Sequence, residues 1–204
     1  FSAGFLKKEL IAEPLHLMMC YKHRCPLRRD GNLQEKKSLN NLLDQVMTSR
    51  EKLKNKVPIF LKIAPDLSLN QIDDISEVAL KMQIDAVVAT NTTLDHQGLK
   101  SDVKNKQGGL SGRPLFSKST WVLANLSRRL EKRVPLIGVG GIASAQDAYL
   151  KIIAGASAVQ LYTGLVYNGI GLVTKINKEL SEILSQQNKT RLADIVGSAA
   201  DEFL

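Results

Sequence analysis

Three glycine-rich or polar turns carry most of the chemistry legible in this sequence. Gly108-Gly109-Leu110-Ser111-Gly112 lies in the long segment after an apolar run ending near Thr90. Gly138-Val139-Gly140-Gly141 closes the run Val134–Ile137, and Leu161-Tyr162-Thr163-Gly164 closes Ala158–Leu161. Backbone N–H groups freed at such turns, ahead of a helix N-terminus, form a cradle for an anion. Several cradles in one repeating strand–helix chain point to a phosphate-bearing ligand at one end of a barrel.

Other candidates lie at the ends of apolar runs. Lys62 is a lone lysine within Ile59-Phe60-Leu61-Lys62-Ile63-Ala64. It either snorkels outward or stands at the open end of the sheet, where a cation stabilises an anionic ring or intermediate. Thr90-Asn91-Thr92-Thr93 follows Ala86–Ala89 and offers the donors and acceptors that a heterocycle needs, or only turn chemistry. Asn91-Thr92-Thr93 also matches a glycosylation sequon, which is set aside in a chain read as intracellular. Gly138–Ala143 fits a loose dinucleotide fingerprint, but no acidic residue follows in Ala158–Leu161 to hold a ribose, so a phosphate turn is favoured. His16, Cys20, His23 and Cys25 have ligand chemistry but form one contiguous set rather than two separated pairs, and no metal site is expected.

The elements that position these residues follow from periodicity. Leu39, Leu42, Leu43, Val46 and Leu53 share one helical face. Four strand–helix units come next. Val57–Ala64 leads to a helix capped by Ser68 with Leu69, Ile72, Ile75, Ala79 and Met82 inward. Ala86–Thr90 leads through the long loop to a helix presenting Leu123, Leu126 and Leu130. Val134–Val139 leads to a helix capped by Ser144, with Ala148, Ile152 and Ile153 inward. Ala156–Tyr162 leads to a helix from about Gly171 to Ser185, and Thr190–Leu204 reads as one or two short helices. Near-continuous apolar strands alternating with amphipathic helices mean a parallel sheet, either a small open one or half of a barrel. The phosphate-type turns after the last two strands favour the half-barrel.

Composition bounds the rest. The 204 residues are 44% hydrophobic and 24% charged, ordinary for a globular chain with one sizeable core. The net charge of +8 is spread along the sequence and aromatics are only 5%, so no nucleic-acid surface is expected. No apolar run reaches the length of a transmembrane helix. Two cysteines make no disulfide framework and favour a reducing compartment.

Taken together, Val57–Asp66, Thr90–Thr93, Gly108–Leu115, Val134–Gly141 and Gly155–Thr163 resemble the C-terminal half of dihydroorotate dehydrogenase, in its membrane-associated, quinone-using class. The resemblance implies an FMN-binding eight-stranded α/β barrel that oxidises dihydroorotate to orotate in pyrimidine biosynthesis. It implies proton abstraction at one pyrimidine carbon, hydride transfer from its neighbour to the flavin, and reoxidation by ubiquinone. By the same resemblance Lys62 sits beside the flavin ring, and Thr90 touches the flavin. Asn91 and Thr92 bind the pyrimidine, while Gly112, Gly141, Tyr162 and Thr163 cradle the FMN phosphate. The implied location is the mitochondrial inner membrane, with a bacterial cytoplasmic membrane as the alternative.

The departures shape the expected organisation. Residues 33–204 match the family's second half-barrel, whereas residues 1–32 diverge. The family places Asn-x-Ser-x-Pro-Asn before the Leu-Gln matching Leu33-Gln34, and its serine is the general base. Here Tyr21–Arg29 holds neither serine nor asparagine, and the residues flanking Cys25 do not make it a substitute. The chain is therefore expected to be truncated, without the base, the first half-barrel, the quinone-tunnel helices or the membrane segment. The alternative reading is a non-catalytic half-barrel that at most binds FMN phosphate.

Overall fold

The computed structural model describes residues 35–97, 99 and 108–204. Helix α1 (Lys36–Glu51) precedes strand β1 (Phe60–Ile63), helix α2 (Leu69–Met82) and strand β2 (Ala86–Ala89). Helix α3 (Phe116–Leu130), strand β3 (Leu136–Val139), helix α4 (Ala145–Ile153) and strand β4 (Ala158–Gln160) follow. Helices α5 (Thr163–Asn168) and α6 (Gly171–Gln186) and two 3-10 turns, Leu192–Asp194 and Ala200–Phe203, complete the described chain.

The four strands are parallel and lie in the order β1-β2-β3-β4. A doubly wound sheet reverses its strand order, and this one does not, so it is an arc of a barrel. Register sorts the side chains onto two faces. Leu61, Val87 and Leu136 form one row and Ile63, Ala89, Gly138 and Val159 the next. These rows pack on the helices, with Leu39 and Leu43 of α1, Ile72, Ile75 and Ala79 of α2, and Leu123, Leu126 and Leu130 of α3. Phe60, Lys62, Ile137, Val139 and Gln160 occupy the opposite, inner face and stay only half-buried. A second core joins α4 and α6 through Ala148, Ile152, Ile176 and Leu180.

Local signals behave as the residues demand. Ser68 accepts from the Gln71 amide while the Gln71 side chain accepts from the Ser68 amide, a complete capping box. Ser144 accepts from the Asp147 amide at 3.1 Å. Some expectations need correction. The first strand is limited to Phe60–Ile63, because the Asp85 carboxylate and carbonyl ladder engage it only from Ile59 onward. Leu69 is 50% exposed, being the first residue of α2 and above its buried stripe, and Leu53 lies beyond the end of α1. The short α5 was not apparent from periodicity, since none of its residues is buried. The tail forms two short helices, as expected, both of 3-10 type. Residues 1–32, with His16, Cys20, His23 and Cys25, and the pair Leu33-Gln34 lie outside the described residues.

Candidate functional site

The site is assembled at the C-terminal ends of the strands. Lys62 stands in the last half of β1 on the inner face, in register with Val88 of β2. One residue beyond β2, Thr90 is 1% exposed, and its N–H donates to the Val139 carbonyl at 3.1 Å. The Asn91 N–H donates to the Ile63 carbonyl at 2.7 Å, so the Thr90–Thr93 segment prolongs the sheet at its end. The Ala89–Thr90 peptide is cis. The Thr90 hydroxyl donates to the Asn91 carbonyl, and the Asn91 side-chain oxygen accepts from the Thr92 amide at 2.9 Å. Asn91 and Thr92 remain half-buried, and among the described residues the Asn91 amide nitrogen has no hydrogen-bond partner.

The floor beneath this segment is an ionic network. Asp66, at the end of β1, accepts from the Thr93 hydroxyl, from the Leu94 amide at 2.9 Å and from Lys118 of α3 at 2.9 Å. Lys118 also reaches Asp95 at 3.0 Å. Burial alone would raise the Asp66 carboxyl, but the Thr93, Leu94 and Lys118 hydrogen bonds overcome it and hold it below the usual carboxylate range. Burial likewise opposes the Lys118 charge, and its two carboxylate partners hold its pKa above the ordinary lysine value. For a carboxyl depressed in the folded state, stability is fully present above the unfolded value of 3.8 and drains away as pH falls through the lower folded value. Acid unfolding of the wild-type chain is therefore expected to steepen below that point. Asp66→Asn should flatten the same segment of a stability–pH curve, measured by urea unfolding at successive pH values. Both Asp66 and the loop end are pinned by a two-way bridge, Thr93 N–H to Leu110 O at 3.1 Å and Leu110 N–H to Thr93 O at 2.8 Å.

That bridge delivers the first glycine turn to the other two. Gly112, at φ +81°, precedes the 3-10 turn Arg113–Leu115 that opens α3. A Cβ there would lie 3.1 Å from the Thr163 methyl, and the Thr163 hydroxyl donates to Ser111 at 2.9 Å. Gly141, at φ +77°, backs onto the start of α3, where a Cβ would meet Phe116 Cβ at 2.5 Å and its Cα at 2.7 Å. Gly164 packs on the Ile142 carbonyl so closely that a Cβ would lie 2.4 Å from it. The three turns thus close on one another through glycine: at Gly112 and Gly141 the positive φ and the close approach both favour glycine, and at Gly164 the approach alone does.

The arrangement suits an anion. Among the described residues, neither the Gly112 nor the Gly141 N–H donates to another group. The Phe116 N–H at the start of α3 donates to the Arg113 carbonyl and the Leu165 N–H of α5 to the Tyr162 carbonyl, so the open donors are those of the glycine turns themselves. Gln160, on the inner face, has a buried Oε1 with no hydrogen-bond partner in the described structure. A phosphate with its ring system along the inner face would meet unpaired donors and an orphaned polar atom, so the donor set fits FMN. The structure brings Lys62, Thr90, Asn91 and Thr92 to one end of the sheet and Gly112, Gly141 and Thr163 to one cradle. Tyr162 is placed differently. It is 81% exposed, and only its backbone belongs to the cradle, where its carbonyl accepts from the Leu165 amide at 3.0 Å. Sequence reasoning missed Gln160 and the Asp66–Lys118 network; a polar residue inside the apolar run Ala158–Leu161 was the one available signal for Gln160.

Comparison with known proteins points one way. The family model for dihydroorotate dehydrogenase matches residues 25–184. The dihydroorotate dehydrogenase (quinone) of Cereibacter sphaeroides (strain KD131) is 51% identical over 173 residues, covering 85% of this chain and 49% of the relative. That of Parvibaculum lavamentivorans is 48% identical over 167 residues, covering 81% of this chain and 47% of its own. The crystal structure of ligand-free DHODH from Eimeria tenella superposes with a TM-score of 0.78 at 34% identity, over 81% of this chain and 50% of that one. The chain spans about half the length of the curated relatives it matches.

Proposed function

The chain belongs to the dihydroorotate dehydrogenase family, and we propose that it is the arc of a quinone-linked member that holds the FMN phosphate and faces the pyrimidine. The activity proposed is oxidation of dihydroorotate to orotate in pyrimidine biosynthesis, with FMN as cofactor and a quinone, ubiquinone in this reading, as final acceptor. The observation that carries it is the closure of three glycine turns at the same end of the sheet where Lys62, Thr90, Asn91 and Thr92 lie.

FMN, when bound, supplies a two-electron acceptor. The residues of this chain supply binding and charge. Gly112, Gly141, Thr163 and the Tyr162 backbone would hold the phosphate through N–H groups, with the Thr163 hydroxyl turning its proton from Ser111 to the phosphate. Lys62 places a fixed cation on the inner face, where it lowers the cost of negative charge on a ring beside it. Asn91 would donate to the pyrimidine, oriented by the bond from the Thr92 amide to its side-chain oxygen. Thr92 would add a second polar contact to the substrate, and Thr90 one to the flavin. No residue of this chain is assigned the role of base.

A second reading, a non-catalytic half-barrel that at most binds FMN phosphate, is favoured by one observation: Tyr21–Arg29 offers neither serine nor asparagine. The bacterial relatives support the bacterial cytoplasmic membrane over the mitochondrial inner membrane as the place of action. No helix among the described residues is long and apolar enough to cross a membrane.

Thr163 gives a direct test of the cradle. Thr163→Val keeps the shape but removes the hydroxyl that bonds Ser111. FMN affinity, followed by quenching of flavin fluorescence, is expected to fall about tenfold, the size of one hydrogen bond to a charged group, with thermal stability nearly unchanged. Equal FMN affinity in the variant would remove Thr163 from the phosphate site.

A further inference from the structure

We propose that Lys151 is a positioning residue for the phosphate cradle: its buried ammonium clamps the first turn of α3 onto the glycine turn that follows β3. The inference rests on the reading of that cradle as the FMN-phosphate site.

Lys151 lies on α4 and is 0% exposed. Its Nζ donates to the Ser119 hydroxyl at 2.6 Å and to the Phe116 carbonyl at 3.3 Å, and it lies 4.7 Å from the centre of the Phe116 ring. The Ser119 oxygen lies 2.8 Å from the Leu115 carbonyl, 3.0 Å from the Phe116 carbonyl and 3.4 Å from the Gly140 carbonyl. Phe116 is the residue that Gly141 backs onto. One ammonium therefore reaches Gly140 through Ser119 and Gly141 through Phe116. Gly140 and Gly141 belong to one of the turns proposed to hold the phosphate.

The cation is costly where it stands. Among the described residues no carboxylate is bonded to it; from its own helix Asp147 acts on it through space, while an Asp147 oxygen accepts from the Ala143 amide at 2.9 Å. From α3 the ammonium faces the Ser119 hydroxyl and the Phe116 carbonyl and ring, while the Lys151 Cβ, at the base of the side chain, packs against Gly138 of β3. Burial pushes the Lys151 ammonium down to about 7, and Asp147 only partly opposes this. A phosphate dianion in the cradle would favour the charged form, so binding should draw a proton onto Lys151 near neutral pH. A methionine of similar length would fill the space without that response.

The test is titration of the full chain and its Lys151→Met variant with FMN and with riboflavin, the same ring system without the phosphate. FMN affinity is expected to drop about tenfold in the variant while riboflavin affinity holds, since the loss is one charge-assisted interaction confined to the phosphate end. Calorimetry near pH 7.5 in two buffers of different protonation enthalpy should show fractional proton uptake on FMN binding by the wild type and none by the variant; FMN phosphate, with its second pKa about 6, is already mostly dianionic there. A wild-type chain that binds FMN no tighter than riboflavin overturns the phosphate-site reading and this inference with it. A wild-type preference for FMN that Lys151→Met retains in full overturns the inference alone. If circular dichroism shows Lys151→Met unfolded, Ser119→Ala takes its place. It keeps the lysine, removes the relay to Gly140, and should weaken FMN several-fold; unchanged FMN affinity there counts against the clamp.

Discussion

Gly141→Ala is expected to destabilise the chain by about 3–5 kcal/mol and to abolish FMN retention. Two costs combine. The backbone at φ +77° is one that side-chain-bearing residues rarely adopt. The added methyl also meets Phe116 Cβ, Cα and N at 2.5, 2.7 and 2.9 Å, so the start of α3 itself has to shift. That start is one wall of the cradle, and a shift there separates Gly141 from Gly112 and Thr163. Gly169→Ala isolates the two costs. Its φ is +73°, yet a Cβ there meets nothing within 4 Å. It should cost only about 1–2 kcal/mol, the backbone part alone, and leave FMN retention intact. Urea unfolding of both variants reads the difference, and equal losses would mean that the Phe116 contact contributes nothing.

Leu123→Ala is the second large effect. Leu123 is 0% exposed in the core between α3 and the sheet, and its Cδ2 lies 3.4 Å from where a Cβ on Gly138 would stand. Truncation leaves a cavity beneath β3 and is expected to cost about 3–4 kcal/mol. A domain of this size has only about 5–15 kcal/mol in total, so the variant should unfold at markedly lower urea and have a lowered melting temperature. The loss lies under the strand that delivers Gly140 and Gly141, so FMN affinity should weaken too, in proportion to the fraction unfolded. Unchanged stability would mean that the interior re-closes around the alanine.

How much of this was readable beforehand differs by level. The α/β alternation was legible because Ile72, Ile75 and Ala79, or Leu123, Leu126 and Leu130, repeat at helical spacing between runs of apolar strand. Ser68 and Ser144 were readable as caps because their side chains act within three residues. The glycine turns were legible as turns, but not their mutual contact: that Gly141 meets Phe116, or Gly112 meets Thr163, depends on strand order and register. The Asp66–Thr93–Lys118 network joins residues up to 52 apart and leaves no local pattern. Lys151 was hidden for the opposite reason. A lysine on an amphipathic helix reads as solvated, and only the close approach of α3 buries it. The short α5 escaped because its exposed Val166 and Tyr167 form no inward stripe.

If the three turns form an FMN-phosphate site, as proposed, this chain should hold flavin by itself. The most direct measurement is the visible absorption spectrum of the purified chain after incubation with FMN and removal of free flavin. A retained flavin spectrum is expected, lost in Gly141→Ala. Addition of dihydroorotate would then separate the dehydrogenase reading, in which the retained flavin bleaches, from the non-catalytic half-barrel, in which it does not. A folded wild-type chain that emerges without flavin would contradict the claim.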